Sequence, residues 1–252
     1  MIKKVKMEVV EKRRIAKDTI EMVLQNDYIS NHAKPGQFLH ISVAGHALRR
    51  PISIAHIDKK EKKVTILFKI VGSGTETLAN YQVGDRLDVL GPNGGNSFPV
   101  DIPTESSVLL IGGGIGIPPL YCLATQLIEK GMKVQAILGF QSKDYMFYEE
   151  KFTAIGNTYV VTNDGSYGEK GLATDVIKKV EPFDRYYACG PLPMLRAVKE
   201  QVVDKPGYLS FEERMACGIG ACFSCVIKTD TETGYKKICQ DGPVFVANEV
   251  IL

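Results

Sequence analysis

A chain of 252 residues that is 44% hydrophobic and 24% charged has room for two domains and a small appendage, and the balance of an ordinary globular protein. Its formal net charge is only +2, with lysines and arginines scattered along the chain, which argues against a nucleic-acid partner. The basic start Met1-Ile-Lys-Lys-Val-Lys-Met7 lacks the apolar run and small-residue cleavage site of a signal peptide, so a cytoplasmic protein is expected.

From residue 1 to about 101 the chain alternates short β-branched and aromatic runs with turn residues. The candidate strands are Val5–Val10, Thr19–Val23, Phe38–Val43, Ile52–Ile57, Val64–Ile70 and Arg86–Leu90, separated by turns such as Asn26-Asp27, Pro35-Gly36 and Gly84-Asp85. Short strands at regular spacing predict an antiparallel barrel or sandwich. Two stretches in this half carry chemistry. Arg49-Arg50-Pro51-Ile52-Ser53 places a cation and a hydroxyl at a strand start, and Gly72-Ser73-Gly74-Thr75 is a glycine turn opening onto a short helix. Helix N-termini hold phosphate through free N–H groups, and an Arg fork neutralises a pyrophosphate. Taken singly, each is also an ordinary strand start or an ordinary turn.

These residues, with Leu67-Phe68-Lys69 between them, resemble the FAD-binding barrel of the ferredoxin–NADP reductase superfamily. The resemblance implies that Arg50 holds the FAD phosphates, with Ser53 beside the flavin ring and Pro51 and Ile52 in the same cofactor-binding run. It also implies that Leu67, Phe68 and Lys69 line the cofactor, and that Gly74 and Thr75 meet the pyrophosphate. The superfamily usually carries an aromatic residue two places after the Arg; this chain has Ile52.

From Ser106 the pattern changes. The segment Val108–Ile128 is apolar enough to raise a membrane span, but Gly112, Gly113, Gly114, Gly116 and Pro118-Pro119 interrupt it. A buried strand, a glycine turn and a helix over Leu120–Lys130 fit better, and no membrane partner is expected. Strands over Val134–Gly139, Thr158–Val161 and Arg185–Ala188 alternate with helices over Tyr145–Phe152, Thr174–Val180 and Leu195–Val202. That order predicts a parallel α/β sheet binding a nucleotide at its strands' carboxyl ends. The Cys189-Gly190-Pro191-Leu-Pro-Met194 run is similar to the nicotinamide-side motif of the same superfamily. The resemblance implies that Gly112, Gly113, Gly114 and Gly116 accept the pyrophosphate of NAD(H), with Cys189, Gly190 and Pro191 near the nicotinamide. A buried core cysteine is the plainer reading of Cys189, as it is of Cys122. Lys143 is a candidate for a 2′-phosphate contact, or simply a solvated lysine.

The last stretch is the most specific. Cys217, Cys222, Cys225 and Cys239 are spaced C-x4-C-x2-C-x13-C, with Gly218 and Gly220 in the first gap. Plant-type 2Fe–2S proteins open with the same C-x4-C-x2-C run, and a loop wrapping a cluster needs glycines for left-handed turns and close N–H approach to sulfur. Structural zinc also takes four cysteines, though usually as two tight pairs, and disulfides would need an oxidising compartment. No His/Asp/Ser constellation suggests a nucleophile; His32, His40, His46 and His56 read as surface or strand residues.

The run Phe211–Cys225, the ending Cys239-Gln-Asp-Gly-Pro-Val-Phe245 and Gly139–Asp144 resemble the electron-transfer subunits of class B, NAD-dependent dihydroorotate dehydrogenases. This implies a flavin-binding antiparallel barrel (1–101), a parallel α/β NAD domain (102–208) and a C-terminal 2Fe–2S module (209–252), with Cys217, Cys222, Cys225 and Cys239 as cluster ligands. It further implies FAD, an FMN-containing catalytic partner oxidising dihydroorotate to orotate for pyrimidine synthesis, and a heterotetramer of two copies of each subunit. The alternative is an NADH:acceptor iron–sulfur flavoprotein serving another redox partner. A zinc-stapled interaction protein is the rival of a different class.

Overall fold

The computed structural model describes residues 1–252. Six antiparallel strands close a barrel: β1 (Lys3–Ala16), β2 (Thr19–Gln25), β3 (Phe38–Ile41), β4 (Arg50–Asp58), β5 (Lys63–Lys69) and β6 (Arg86–Asn93), in the order β1-β2-β5-β4-β3-β6. Closure removes both sheet edges. Alternation fills the interior: Met7 and Val9, Met22 and Leu24, Leu39 and Ile41, and Leu87 and Val89 pack in one core. Two short helices pack onto the barrel core through Ile29 and Leu78. Helix α1 (Asp27–His32) begins where Asn26 Oδ1 accepts from the Ile29 N–H at 3.0 Å. Asn26-Asp27 is therefore an N-cap rather than a turn, because a capping oxygen satisfies a donor that the first helical turn leaves free. Helix α2 (Ser73–Asn80) starts inside the glycine turn.

The second body is a seven-stranded sheet. Strands β7 (Ser107–Gly113), β8 (Lys133–Phe140), β9 (Asn157–Thr162), β10 (Glu169–Lys170), β11 (Arg185–Cys189) and β12 (Gly207–Ser210) are parallel, in the order β10-β9-β8-β7-β11-β12. Helix α3 (Ile117–Glu129) tolerates Pro118-Pro119 because N–H groups in the first turn have no intrahelical acceptor, so their absence breaks no bond. The sheet is buried on both faces, which is why β7 reads as an uninterrupted apolar run. Val108 and Leu110 pack toward α3, Phe98 and Leu67, whereas Leu109 and Ile111 pack toward α5 (Leu192–Gln201).

Three expectations change. The helix expected over Tyr145–Phe152 shortens to α4 (Glu149–Thr153), because Tyr148 sits at φ 65° and breaks the turn before it. The segment Ala173–Lys179 is a 3-10 helix. Helix α5 starts at Leu192, three residues earlier than expected, with Pro193 in its first turn.

The C-terminal segment forms a hairpin, β13 (Val226–Lys228) with β14 (Tyr235–Lys237), then α6 (Ile238–Asp241) and β15 (Val244–Val246). Strand β15 pairs antiparallel with β12 and completes the sheet. The boundary expected between 208 and 209 falls inside β12, so the cluster segment enters and leaves through the α/β sheet. Cys225, Ile238 and Cys239 share a core with Leu109, Ile111 and Phe38.

Candidate functional site

Where β4 begins, the chain turns the Arg50 guanidinium onto the start of α2. A Cβ at Gly74 would lie 2.1 Å from Arg50 Nη2, so only glycine lets the fork rest there. The guanidinium is held by the Leu48 carbonyl at 2.5 Å and His46 Nδ1 at 3.2 Å. The Thr75 hydroxyl accepts from the backbone N–H groups of Val71 and Gly72 at 2.9 and 3.2 Å, fixing the turn. Neighbouring Arg49 is spoken for: Nη2 meets Asp88 Oδ1 at 2.5 Å, while Nη1 reaches the backbone carbonyl oxygens of Asp88 and His40. Burial would raise the Asp88 carboxyl, but Arg49 and Lys4 outweigh it and hold it below the usual range.

These residues open onto a cavity of about 680 Å³. Arg50, Pro51, Ser53, Gly74 and Thr75 line one side, with Phe38; the segment Phe211–Met215 lines the other. Three residues expected here lie elsewhere. The Leu67 side chain packs in the core between barrel and sheet, Phe68 fills the barrel interior, and Lys69 lies over the Tyr145 ring, 4.2 Å from its centroid. The pleat explains this: Phe68 faces the barrel core, whereas Leu67 and Lys69 face the α/β body. Ile52 packs against the barrel core.

A second cavity of about 560 Å³ lies at the carboxyl ends of β7, β8 and β11. Gly113, Gly114, Gly116, Gly190 and Pro191 line it, and the barrel contributes Thr19 and Lys69. The expected residues differ in what they do. Gly112 lies under α3, where a Cβ would meet Ile117 at 2.6 Å, and Gly116 brings the helix start against the Cys189 carbonyl, 2.3 Å from where a Cβ would sit. Cys189 itself is fully buried, off the cavity wall, and burial pushes its thiol up. Cys122 is likewise buried, against the barrel core. Lys143 is absent from the cavity and leans toward the Tyr167 ring instead.

One residue that sequence reasoning missed joins the two cavities. Glu212 lines both. It is open to the crevice yet surrounded by protein, and that enclosure pushes its carboxyl up to about 7. A lone carboxylate between Phe211 and Glu213 carries no spacing signal.

The four cysteines follow directly on this segment. Gly218 and Gly220, at φ +69° and +81°, bend the loop so that its N–H groups point at sulfur. The Ile219 and Cys222 N–H groups approach Cys217 Sγ at 3.5 and 3.4 Å, and the Gly220 N–H approaches Cys239 Sγ at 3.2 Å. Burial opposes ionisation of Cys217, but these donors outweigh it and bring its thiol down to about 6. Burial and the neighbouring Cys225 push Cys239 up to about 12. Cys217 neighbours Cys222, and Cys239 neighbours both Cys225 and Cys217, so the four thiols gather on one loop and the helix after it. Four thiolates with backbone N–H groups aimed at their sulfurs are the donor set of an iron–sulfur centre.

A buried carboxylate with a buried tyrosine and two partly exposed cations ties barrel to sheet. Glu21 on β2 accepts from the Tyr148 hydroxyl and pairs with Arg13 at 2.5 Å and Lys151 at 3.5 Å. Burial would raise its carboxyl, but Tyr148, Lys151 and Arg13 together hold it below the usual range.

Comparison with known proteins agrees with this layout. Residues 6–98 match the family of oxidoreductase FAD-binding domains, and residues 212–251 match the iron–sulfur cluster binding domain of dihydroorotate dehydrogenase B. The chain is 52% identical to the dihydroorotate dehydrogenase B (NAD(+)) electron transfer subunit of Geobacillus kaustophilus (strain HTA426), with both chains covered in full. It is also 52% identical over both full lengths to that of Bacillus caldolyticus, and 48% identical to that of Fusobacterium nucleatum, with 96% of each chain covered. Among solved structures, an NADH-dependent reduced ferredoxin–NADP oxidoreductase superposes with a TM-score of 0.86 at 32% identity, covering 97% of this chain and 89% of that one. An Amycolatopsis cytochrome P450 reductase shares the fold, with a TM-score of 0.70 at 23% identity over 81% of this chain and 67% of that one. The chain belongs to the family of dihydroorotate dehydrogenase B (NAD(+)) electron transfer subunits.

Proposed function

We propose that this chain carries electrons between NAD(H) and a catalytic partner subunit through FAD and a 2Fe–2S cluster. The partner, in this reading, holds FMN and interconverts dihydroorotate and orotate in pyrimidine synthesis; two copies of each subunit assemble in the cytoplasm. One observation carries the proposal. The segment Phe211–Met215 walls the first cavity, its Glu212 reaches the second, and Cys217 follows two residues later. Three sites in series therefore share one short stretch of chain.

The residues present fit the groups. The Arg50 fork over Gly74 is a phosphate cradle that a Cβ would fill, and the glycine turn before α3 lets a pyrophosphate approach the sheet. The four thiols and the N–H donors around them fit an iron–sulfur core. When bound, the flavin exchanges electron pairs with nicotinamide and single electrons with the cluster. The protein's own part is geometry. Arg50 and Thr75 orient one dinucleotide. Gly113 to Gly116 admit the other, and Glu212 stands between them. The Cys217 loop presents Ile219 and Phe223, 54% and 62% exposed, to the outside, a surface suited to passing the electron to another polypeptide. No helix is long and apolar enough to cross a membrane.

Co-purification tests the proposal. The tagged chain should bring down a brown complex with FAD and FMN in equal amounts that reduces NAD on addition of dihydroorotate. A brown chain without an FMN partner would keep the electron path and change its acceptor, and a colourless chain binding stoichiometric zinc would end the proposal.

A further inference from the structure

Two fully buried side chains, His40 and Asn93, have no hydrogen-bond partner at any polar atom, and His40 is the one pressed against the cluster loop. Strand β3 turns Leu39 and Ile41 into the barrel core, and the same alternation turns Phe38 and His40 outward. The imidazole is fully enclosed, and neither Nδ1 nor Nε2 has a hydrogen-bond partner. Buried polar groups are nearly always paired, and a ring carrying both a donor and an acceptor in the dark is the exception that calls for a ligand.

What lies against the ring is the cluster loop. A Cβ at Gly218 would stand 2.3 Å from His40 Nδ1 and 2.8 Å from Cε1, so the backbone beside Cys217 is pressed onto the imidazole at a position that only glycine permits. On its own strand, His40 is two residues from Phe38, which walls the first cavity. Arg49 and Arg50 lie on the strand side of the ring; the Arg49 backbone comes near it without closing a hydrogen bond, and a guanidinium has no acceptor. With the cluster loop pressed against the ring, an iron-bound sulfide or thiolate sulfur on that side is the electron-rich acceptor that would pair the unused N–H.

We propose that His40 is a positioning residue for the iron–sulfur centre: its ring N–H donates to the sulfur shell held by the Cys217 loop and sets the centre's reduction potential from the flavin side. The inference rests on the function proposed above, because it requires a cluster in that loop. Hydrogen bonds to cluster sulfurs favour the reduced, more negative state and so raise the potential.

The test is an EPR-monitored redox titration of the complete, FAD-loaded protein. In His40→Leu the cluster midpoint should move negative by about tenfold in the reduction equilibrium, which is about 59 mV for a one-electron couple. The flavin midpoint and FAD content should stay in place. His40→Gln, which keeps an N–H donor, should recover part of the shift. An unchanged cluster midpoint in a His40→Leu protein that retains both cofactors would overturn the proposal, as would a shift confined to the flavin. If His40→Leu does not hold its cofactors, the unaltered protein made with 15N-histidine decides: pulsed EPR of the reduced cluster should show a weak 15N coupling, and its absence would overturn the assignment. Unaltered protein with no cluster EPR signal at all would remove the proposed function itself, and His40's role with it.

Discussion

Arg50→Ala asks whether the first cavity holds a dinucleotide phosphate. The guanidinium is already immobilised in the folded chain by the Leu48 carbonyl and His46 Nδ1, and it rests on Gly74 at the start of α2. Little side-chain entropy is therefore left to lose on binding, and the charge-assisted contact should count nearly in full. Such a hydrogen bond contributes about 1.5–3 kcal/mol, so removing it should weaken FAD binding roughly 10- to 150-fold. The substitution touches no core residue, and the melting temperature without FAD should hardly change. Titration of the FAD-stripped protein with FAD, followed by flavin fluorescence quenching, gives the dissociation constant. Arg50→Lys keeps the charge without the planar fork, and its affinity should fall between the two. Raising the salt concentration should weaken the unaltered protein more than Arg50→Ala. An Arg50→Ala protein that binds FAD as tightly as the unaltered chain would refute the reasoning and take the phosphates elsewhere.

Other outcomes are equally specific. Cys225→Ser removes one member of a buried thiol pair, and the reduced-state EPR signal should be lost or changed while FAD stays bound; a normal signal would take Cys225 out of the ligand set. In Gly116→Ala the new Cβ meets the Cys189 carbonyl. Overpacking against backbone typically costs about 1–3 kcal/mol, read as a lower melting temperature together with weaker NADH binding. Glu21→Gln should destabilise the chain at pH 7 by about 1–3 kcal/mol, because it leaves Lys151 and Arg13 without their carboxylate. The pH dependence has a definite sign. Glu21 is held below its unfolded value near 4.5, so its contribution is complete above that pH and is lost as the pH falls through the lower folded value. Melting curves of the unaltered protein should fall more steeply below about pH 4.5 than those of Glu21→Gln, and parallel curves would contradict the pairing.

Legibility followed periodicity. The barrel strands announced themselves because alternation and turn residues coincide, and β7 because both of its faces are buried. The cysteine spacing pointed at the cluster segment without any help from packing. Elements held by tertiary pairing were silent. Gly207–Ser210 and Val244–Val246 are too short to carry a period; the first is a strand because it lies between β11 and β15, the second because it lies beside the first. Helix α4 shrank because Tyr148, in a sequence that reads as helical, takes a left-handed backbone to put its hydroxyl on Glu21. The site showed the same divide. Glycines and the Arg50 fork were readable because few other residues do their work. Leu67 and Phe68 were drawn toward the flavin by resemblance, and the pleat sends their side chains into two different cores. Glu212 and His40 gave no signal, since one is a carboxylate among carboxylates and the other a histidine in an apolar strand; only the fold brings them to the crevice and to the cluster loop.

The central claim is that electrons reach the cluster only through the flavin, and one anaerobic measurement tests it. The purified chain, with FAD and again after FAD removal, is mixed with NADH, and the cluster is followed by EPR. The FAD-loaded protein should develop the reduced-cluster signal. The stripped protein should stay silent with NADH, yet show the signal with dithionite and recover NADH reduction when FAD is restored. A cluster that NADH reduces equally well without FAD would contradict the path.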